Sequence, residues 1–133
     1  MDPRFLLDTH VLIRWLLAAN KLTRTQLRVL NMAARRAEPV AISAISLLEI
    51  ATLSSGNRPA LKISVAEFFR DLSGNPLFRV LPLTYEVALD AALLGVLRDP
   101  SDRAIAATAR VHRLPLVTSD ERIIDSKVVP VIE

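Results

Sequence analysis

Four acidic residues stand where a carboxylate can do more than face water. Asp8 closes the apolar run Phe5-Leu6-Leu7, and Glu49 lies in the first helical turn after Val40-Ala41-Ile42. Asp102 opens a helix in Asp99-Pro100-Ser101-Asp102-Arg103, and Asp120 follows Leu116-Val117-Thr118-Ser119. Each also reads as a helix cap, because acids at a helix start satisfy free N–H groups and complement the dipole. Ser46-x-x-Glu49 fits a capping box. Asp99 before Pro100 fits an N-cap with proline at the first helical position, which puts Asp102 in the first turn. As a set, however, carboxylates gathered at one place repel, which raises their proton affinity and lowers stability. A divalent cation cancels that penalty. The chain has no Cys, and an all-oxygen donor set favours Mg²⁺ or Mn²⁺ over zinc. Such ions bind phosphate oxygens, sharpen a water into a nucleophile and offset charge on a leaving oxygen. That is equipment for cutting a phosphodiester.

The acids meet only if the chain brings them together, and its patterning predicts how. Solid apolar runs at residues 5–7, 40–42, 78–81, 115–118 and 128–132 read as strands. Segments of helical period lie between them, at 9–19, 46–53, 64–72, 84–97, 101–113 and, as a single turn, 121–124. A further helix, capped by Thr23 or Thr25, carries Leu27, Leu30 and Ala34. Residues 54–59 are a loop by composition. Apolar strands separated by helices imply a five-stranded, mainly parallel sheet covered on both faces, an α/β/α sandwich. In a parallel sheet all four acids project from one edge, the edge where such folds bind ligands.

Composition sets the outer limits. The chain has 133 residues, of which 51% are hydrophobic and 23% charged, a profile of one folded domain over 1–133. Without Cys, disulfides, zinc fingers, iron–sulfur clusters and thiol catalysis are excluded. The longest apolar stretch, residues 91–97, is too short to span a bilayer, and the start lacks a signal-peptide pattern. The expectation is an intracellular, cytoplasmic protein. The net charge is +3, with 14 Arg against three Lys. Arginine suits bidentate phosphate contacts, so a polyanionic partner is permitted.

With these motifs in order, the chain resembles PIN-domain ribonucleases, and more narrowly the VapC-type toxins of toxin–antitoxin pairs. The resemblance rests on Leu7-Asp8-Thr9-His10-Val11-Leu12, Ser46-x-x-Glu49-Ile50, Asp99-Pro100-x-Asp102-Arg103 and Leu116-Val117-Thr118-x-Asp120. It runs through nearly the whole chain. It implies a Mg²⁺- or Mn²⁺-dependent endoribonuclease in which Asp8, Glu49 and Asp102 are metal ligands and Asp120 completes the cluster directly or through water. Thr118 matches a hydroxyl position near the site, while Asp99 is divided between capping and the site. The resemblance further implies an RNA substrate, a homodimer and a cognate antitoxin.

Other residues carry two readings each. Arg103 either steadies Asp102 or a phosphate, or forms a surface ion pair. Arg24, Arg28 and Arg35 either track an RNA backbone or form the wet side of their helix. His10 reads as packing or surface, and His112 as favourable charge at a helix end. Trp15 and its neighbours fit either the core or a groove for an antitoxin helix. The six aromatics read as core or interface. Rival functions have weaker support. A dehalogenase-like phosphatase wants an acid where His10 stands, and a receiver module wants a Lys immediately before a late Pro, whereas Lys127 is separated from Pro130. A PIN domain in RNA processing, or a catalytically silent one, stays open.

Overall fold

The computed structural model describes residues 1–55 and 63–133. In chain order, the described residues form β1 (Leu6–Leu7), α1 (Thr9–Leu17), a 3-10 turn (Ala19–Lys21), α2 (Arg24–Arg35), β2 (Val40–Ser43) and α3 (Ala44–Leu53). There follow α4 (Val65–Gly74), β3 (Phe78–Leu81), α5 (Tyr85–Ala92), α6 (Pro100–Val111), β4 (Leu116–Val117), α7 (Glu121–Ser126) and β5 (Val131–Ile132). The sheet has five strands in the order β3-β2-β1-β4-β5, and every pairing is parallel. Strand order reverses between β1 and β4, so the switch point lies where Asp8 and Thr118 emerge.

Alternation along the buried strands divides the core in two. Leu7, Val40, Ile42 and Val117 face one layer with Leu12, Leu30, Ile50 and Phe68. Leu6, Ala41 and Leu116 face the other, with Val87, Ile105, Ala106 and Ile123. This is the period of two that a pleated strand imposes. Helices cover both faces, as the solid apolar runs require. Only β1, β2 and β4 are buried throughout; β3 and β5 are edge strands and half-exposed.

The helix starts are set locally. Thr23, not Thr25, caps α2 through a capping box closed by Gln26. Asp99 caps α6, accepting from Ser101 N at 2.7 Å and Asp102 N at 3.2 Å, with Pro100 pre-set for the first turn. The helix expected over 84–97 stops at Ala92. Beyond it, Leu93, Leu94 and Leu97 donate to carbonyls three residues back, and these tight turns bury Leu94 and Leu97. That folded corner delivers Asp99. The final strand is shorter than expected, beginning at Val131. Of the loop expected over 54–59, residues 56–59 lie outside the described residues.

Two readings of side chains are corrected. Ser43, not Ser46, caps α3 by accepting from Ile45 N at 3.2 Å, so Glu49 lies in the second turn of that helix. Tyr85, read as core or interface, is not core: it is 97% exposed, and Leu89 on α5 and Leu93 at its C-cap are exposed too, while Val87 and Leu94 are buried. Trp15 does pack, edge-on against Phe78 with ring centroids 5.8 Å apart. His112 ends α6 as its C-cap.

Candidate active site

Asp8 is the best-held carboxylate at the carboxyl edge of the sheet. Its backbone N–H donates to Val117 O at 3.0 Å, which extends the β1–β4 pairing by one residue. Its Oδ1 accepts from Thr9 N at 2.8 Å and its Oδ2 from Thr118 Oγ1 at 2.7 Å. Thr118 in turn accepts from Asp120 N at 3.0 Å, so one fully buried hydroxyl orients one acid and fixes the backbone of another. Asp8 itself is 6% exposed. Burial pushes its carboxyl above the ordinary range, against the opposing pull of Thr118 and Thr9.

Glu49 is held from the neighbouring helix. Thr9 Oγ1 lies 2.5 Å from Glu49 Oε1 and 2.8 Å from Ser46 Oγ. A hydroxyl has one proton and an ionised carboxylate only accepts. Thr9 therefore donates to Glu49, with Ser46 Oγ a second acceptor beside the same hydroxyl. The buried Ser46 acts one step behind the acid, which explains why it is not the cap. Partial burial raises the Glu49 carboxyl, and the Asp8 charge adds to the rise. Thr9→Val keeps the shape and removes this donor. Any hydrolysis carried by these acids should fall by about 10-fold or more, in the range seen when a group supporting a ligand is lost. Stability should drop by about 1–3 kcal/mol as the buried Ser46 hydroxyl loses its donor. Thr9→Ser should restore both, which a cleavage assay and a urea titration would check.

Asp102 stands in the first turn of α6. Its carboxyl is pushed up to about 6, first by burial and then by the charges of Asp99, Asp120 and Asp8. Asp120 behaves differently. Partial burial would raise it, but hydrogen bonds from the Arg122 side chain and backbone outweigh that and hold it below the ordinary range. Arg122 Nη2 lies 3.3 Å from Asp120 Oδ2, and Arg122 N donates to Asp120 Oδ1 at 2.9 Å. Val96, Leu97, Arg98, Asp99, Asp102 and Arg122 line a cleft of about 420 Å³ here. A larger cleft of about 740 Å³ lies at the opposite edge, beside Leu114, Pro115 and Pro130. Size alone would pick the wrong end of the sheet, since ligands of such folds bind at the carboxyl ends.

The predicted acids thus converge, but as a loose collar. Among the described residues no three His, Asp or Glu side chains stand close enough to enclose an ion. Asp8, Glu49 and Asp102 form no ion pair there. Their shared repulsion has a measurable consequence with a definite sign. A carboxyl whose folded pKa is raised binds protons more tightly when folded, so stability falls as pH rises. For Asp102 the window runs from 3.8 to about 6, and Asp8 and Glu49 act in the same direction. Asp120 has the opposite sign, but only below its ordinary value. In chelator, the melting temperature should be higher near pH 5 than near pH 7, and Asp102→Asn should shrink the difference. A metal-free protein that is less stable near pH 5 would exclude the repulsion.

Arg103 takes no part in the collar. Its Nε donates to the Leu97 carbonyl, tying α6 to the corner before it instead of pairing with Asp102. Asp99 is exposed, caps α6 and still adds charge to the site. His10 is exposed, close enough that its positive charge offsets Asp8 and Glu49 in part. Arg24, Arg28 and Arg35 lie on α2 outside the collar, exposed. Three contributors were not foreseen: Thr9, Gln26 and Arg122. Gln26 is fully buried and donates from Nε2 to Ser119 Oγ at 2.8 Å; the pattern Thr23-x-x-Gln26 was its visible sign. Arg122 had none beyond lying two residues after Asp120.

The PIN domain family matches residues 5–128 of the chain. This is a PIN-domain protein. Among characterised relatives, this PIN domain is 34% identical to Ribonuclease VapC22 of Mycobacterium tuberculosis over 120 residues, 89% of this chain and 88% of that protein. The crystal structure of FitAcB from Neisseria gonorrhoeae matches with a TM-score of 0.68 at 27% identity, over 97% of this chain and 96% of that one. DNA-bound VapBC from Salmonella typhimurium matches with a TM-score of 0.70 over 98% of each chain. At 19% identity that last likeness is one of fold alone. The expected α/β/α PIN architecture is therefore the observed one.

Proposed function

We propose that this PIN domain is a divalent-metal-dependent endoribonuclease and the toxin of a toxin–antitoxin pair. The observation that carries the reading is the collar of Asp8, Glu49, Asp102 and Asp120 at one sheet edge. Three of its members have raised proton affinity. The similarity to a ribonuclease supports RNA as the substrate.

The donor set fits a hard cation. Mg²⁺ commonly keeps several waters and takes only one or two carboxylates directly, which agrees with a collar that encloses no three-ligand pocket. Asp8, Glu49 and Asp102 would hold the ion, and Asp120 would complete the set directly or through water. When bound, such an ion supplies Lewis acidity toward phosphate oxygens and lowers the pKa of water. The chain's own part is orientation and exclusion. Thr118 and Thr9 N–H hold the Asp8 carboxylate, Thr9 Oγ1 holds Glu49, and the apolar strand ends keep bulk water off Asp8.

The FitAcB likeness supports a cognate antitoxin as partner. The exposed apolar stripe of Tyr85, Leu89, Leu93 and Val96 supports a second copy of the chain seated there, completing a homodimer. Among the described residues no helix is long and apolar enough to cross a membrane, and the reading places the protein in the cytoplasm. The test is RNA cleavage by purified protein with Mn²⁺ or Mg²⁺, then with excess EDTA. Cleavage should vanish in EDTA and return when Mn²⁺ is restored. Cutting that survives the chelator would overturn the metal, and no cutting of any RNA would overturn the enzyme.

A further inference from the structure

One face of α2 has a chemistry that nothing else in the fold uses. Arg24, Arg28, Asn31 and Arg35 are all exposed, and at about 100° per residue they fall within a wedge of about 60°. The helix contains no acid. Among the described residues none of these three guanidiniums enters an ion pair. A helix face that is merely wet normally interleaves acids with bases. Arg24 even occupies the first helical position, where the helix's own positive end disfavours a cation. An anion is what these charges lack.

The face turns outward. Gln26 ties the start of α2 to Ser119, and at about 100° per residue it lies on the side of the helix opposite the arginines. The arginines therefore run for about 16 Å along the outer surface of α2, where Arg24, Arg28, Asn31 and Arg35 share one shallow groove. The collar repels a phosphodiester, so affinity for a strand has to come from positive charge set to one side. Guanidinium forks match phosphate oxygens bidentately.

We propose that Arg24, Arg28 and Arg35 form a track that binds the backbone phosphates of single-stranded RNA at a distance from the cleaved bond. This rests on the ribonuclease reading, and the experiment separates the two. Fluorescence anisotropy with labelled single-stranded RNA over a salt series compares the wild type with the triple variant Arg24→Gln, Arg28→Gln, Arg35→Gln. A triple Lys variant keeps the charge, circular dichroism melts report folding, and cleavage is followed on long RNA and on a dinucleotide. Three lost phosphate contacts at about 0.7 each should flatten the salt dependence of binding by about 2 in log–log slope. KM for long RNA should rise about 10-fold or more, as expected for loss of uniform binding, with kcat and dinucleotide cleavage unchanged. The Lys variant should recover most of the slope. An unchanged slope and KM in the folded Gln variant would overturn the track. So would loss of antitoxin binding with RNA kinetics intact, which would give the face to an acidic protein partner. RNA binding that needs the arginines, in a protein that cuts no RNA, would support the track and sink the ribonuclease reading alone.

Discussion

Asp8→Asn protein should fold as the parent does and cut RNA at least about 100-fold more slowly, the scale set by removing one charge-stabilising group from an active site. The substitution preserves volume and the acceptor for Thr9 N, and Asn is a good N-cap. What it removes is a buried negative charge repelled by Asp120. It also sets an NH2 group against the Thr118 hydroxyl that Asp8 Oδ2 accepts from, so the relief of repulsion is offset and stability should stay within about 1–3 kcal/mol of the parent's. Asp102→Asn provides the second arm, because no hydrogen bond contributes to the state of that carboxylate and its neutralisation leaves nothing unpaired. Paired cleavage assays and thermal melts decide the matter. Full activity in both folded variants would remove the acids from the chemistry.

The largest effect on stability is expected from Ile105→Ala. Ile105 is wholly buried on α6 between the sheet and its neighbours, and truncating such a side chain costs about 2–5 kcal/mol. That is a large share of the total for a domain of this size. Leu89→Ala, on α5, should change stability by less than about 0.5 kcal/mol, because Leu89 is already exposed. Urea titration separates the two. Below its melting temperature the Ile105 variant should still cut RNA within a few-fold of the parent, since Ile105 packs in the apolar layer with Leu6, Leu116 and Ile123.

That contrast marks where the sequence was legible and where it was not. The strand at Phe78–Leu81 emerged with its observed bounds, because Phe78, Val80 and Leu81 form a short β-favouring run between turn residues and Pro82. The convergence of Asp8, Glu49, Asp102 and Asp120 was equally legible, since parallel strands send every βα junction to the same edge. Ser43 against Ser46 was not. Both are hydroxyls just ahead of an apolar helix, and the choice is made by β2 pairing Ser43 with Leu81 and by Thr9 recruiting Ser46 across 37 residues. Arg103 was misplaced for the same reason, its partner being a carbonyl in a corner that local pattern does not reveal. The outer stripe of α5 has the same apolar residues as a core helix, and periodicity alone does not say whether anything covers them.

The bond from Thr118 to Asp8 joins residues 110 positions apart. A nascent chain that has just emitted α5 already carries Asp8 and Glu49 but has neither the hydroxyl that aims one nor the strand that borders it. The acidic edge is therefore among the last things synthesis completes, and a polypeptide released early lacks the hydroxyl and the strand that fix Asp8.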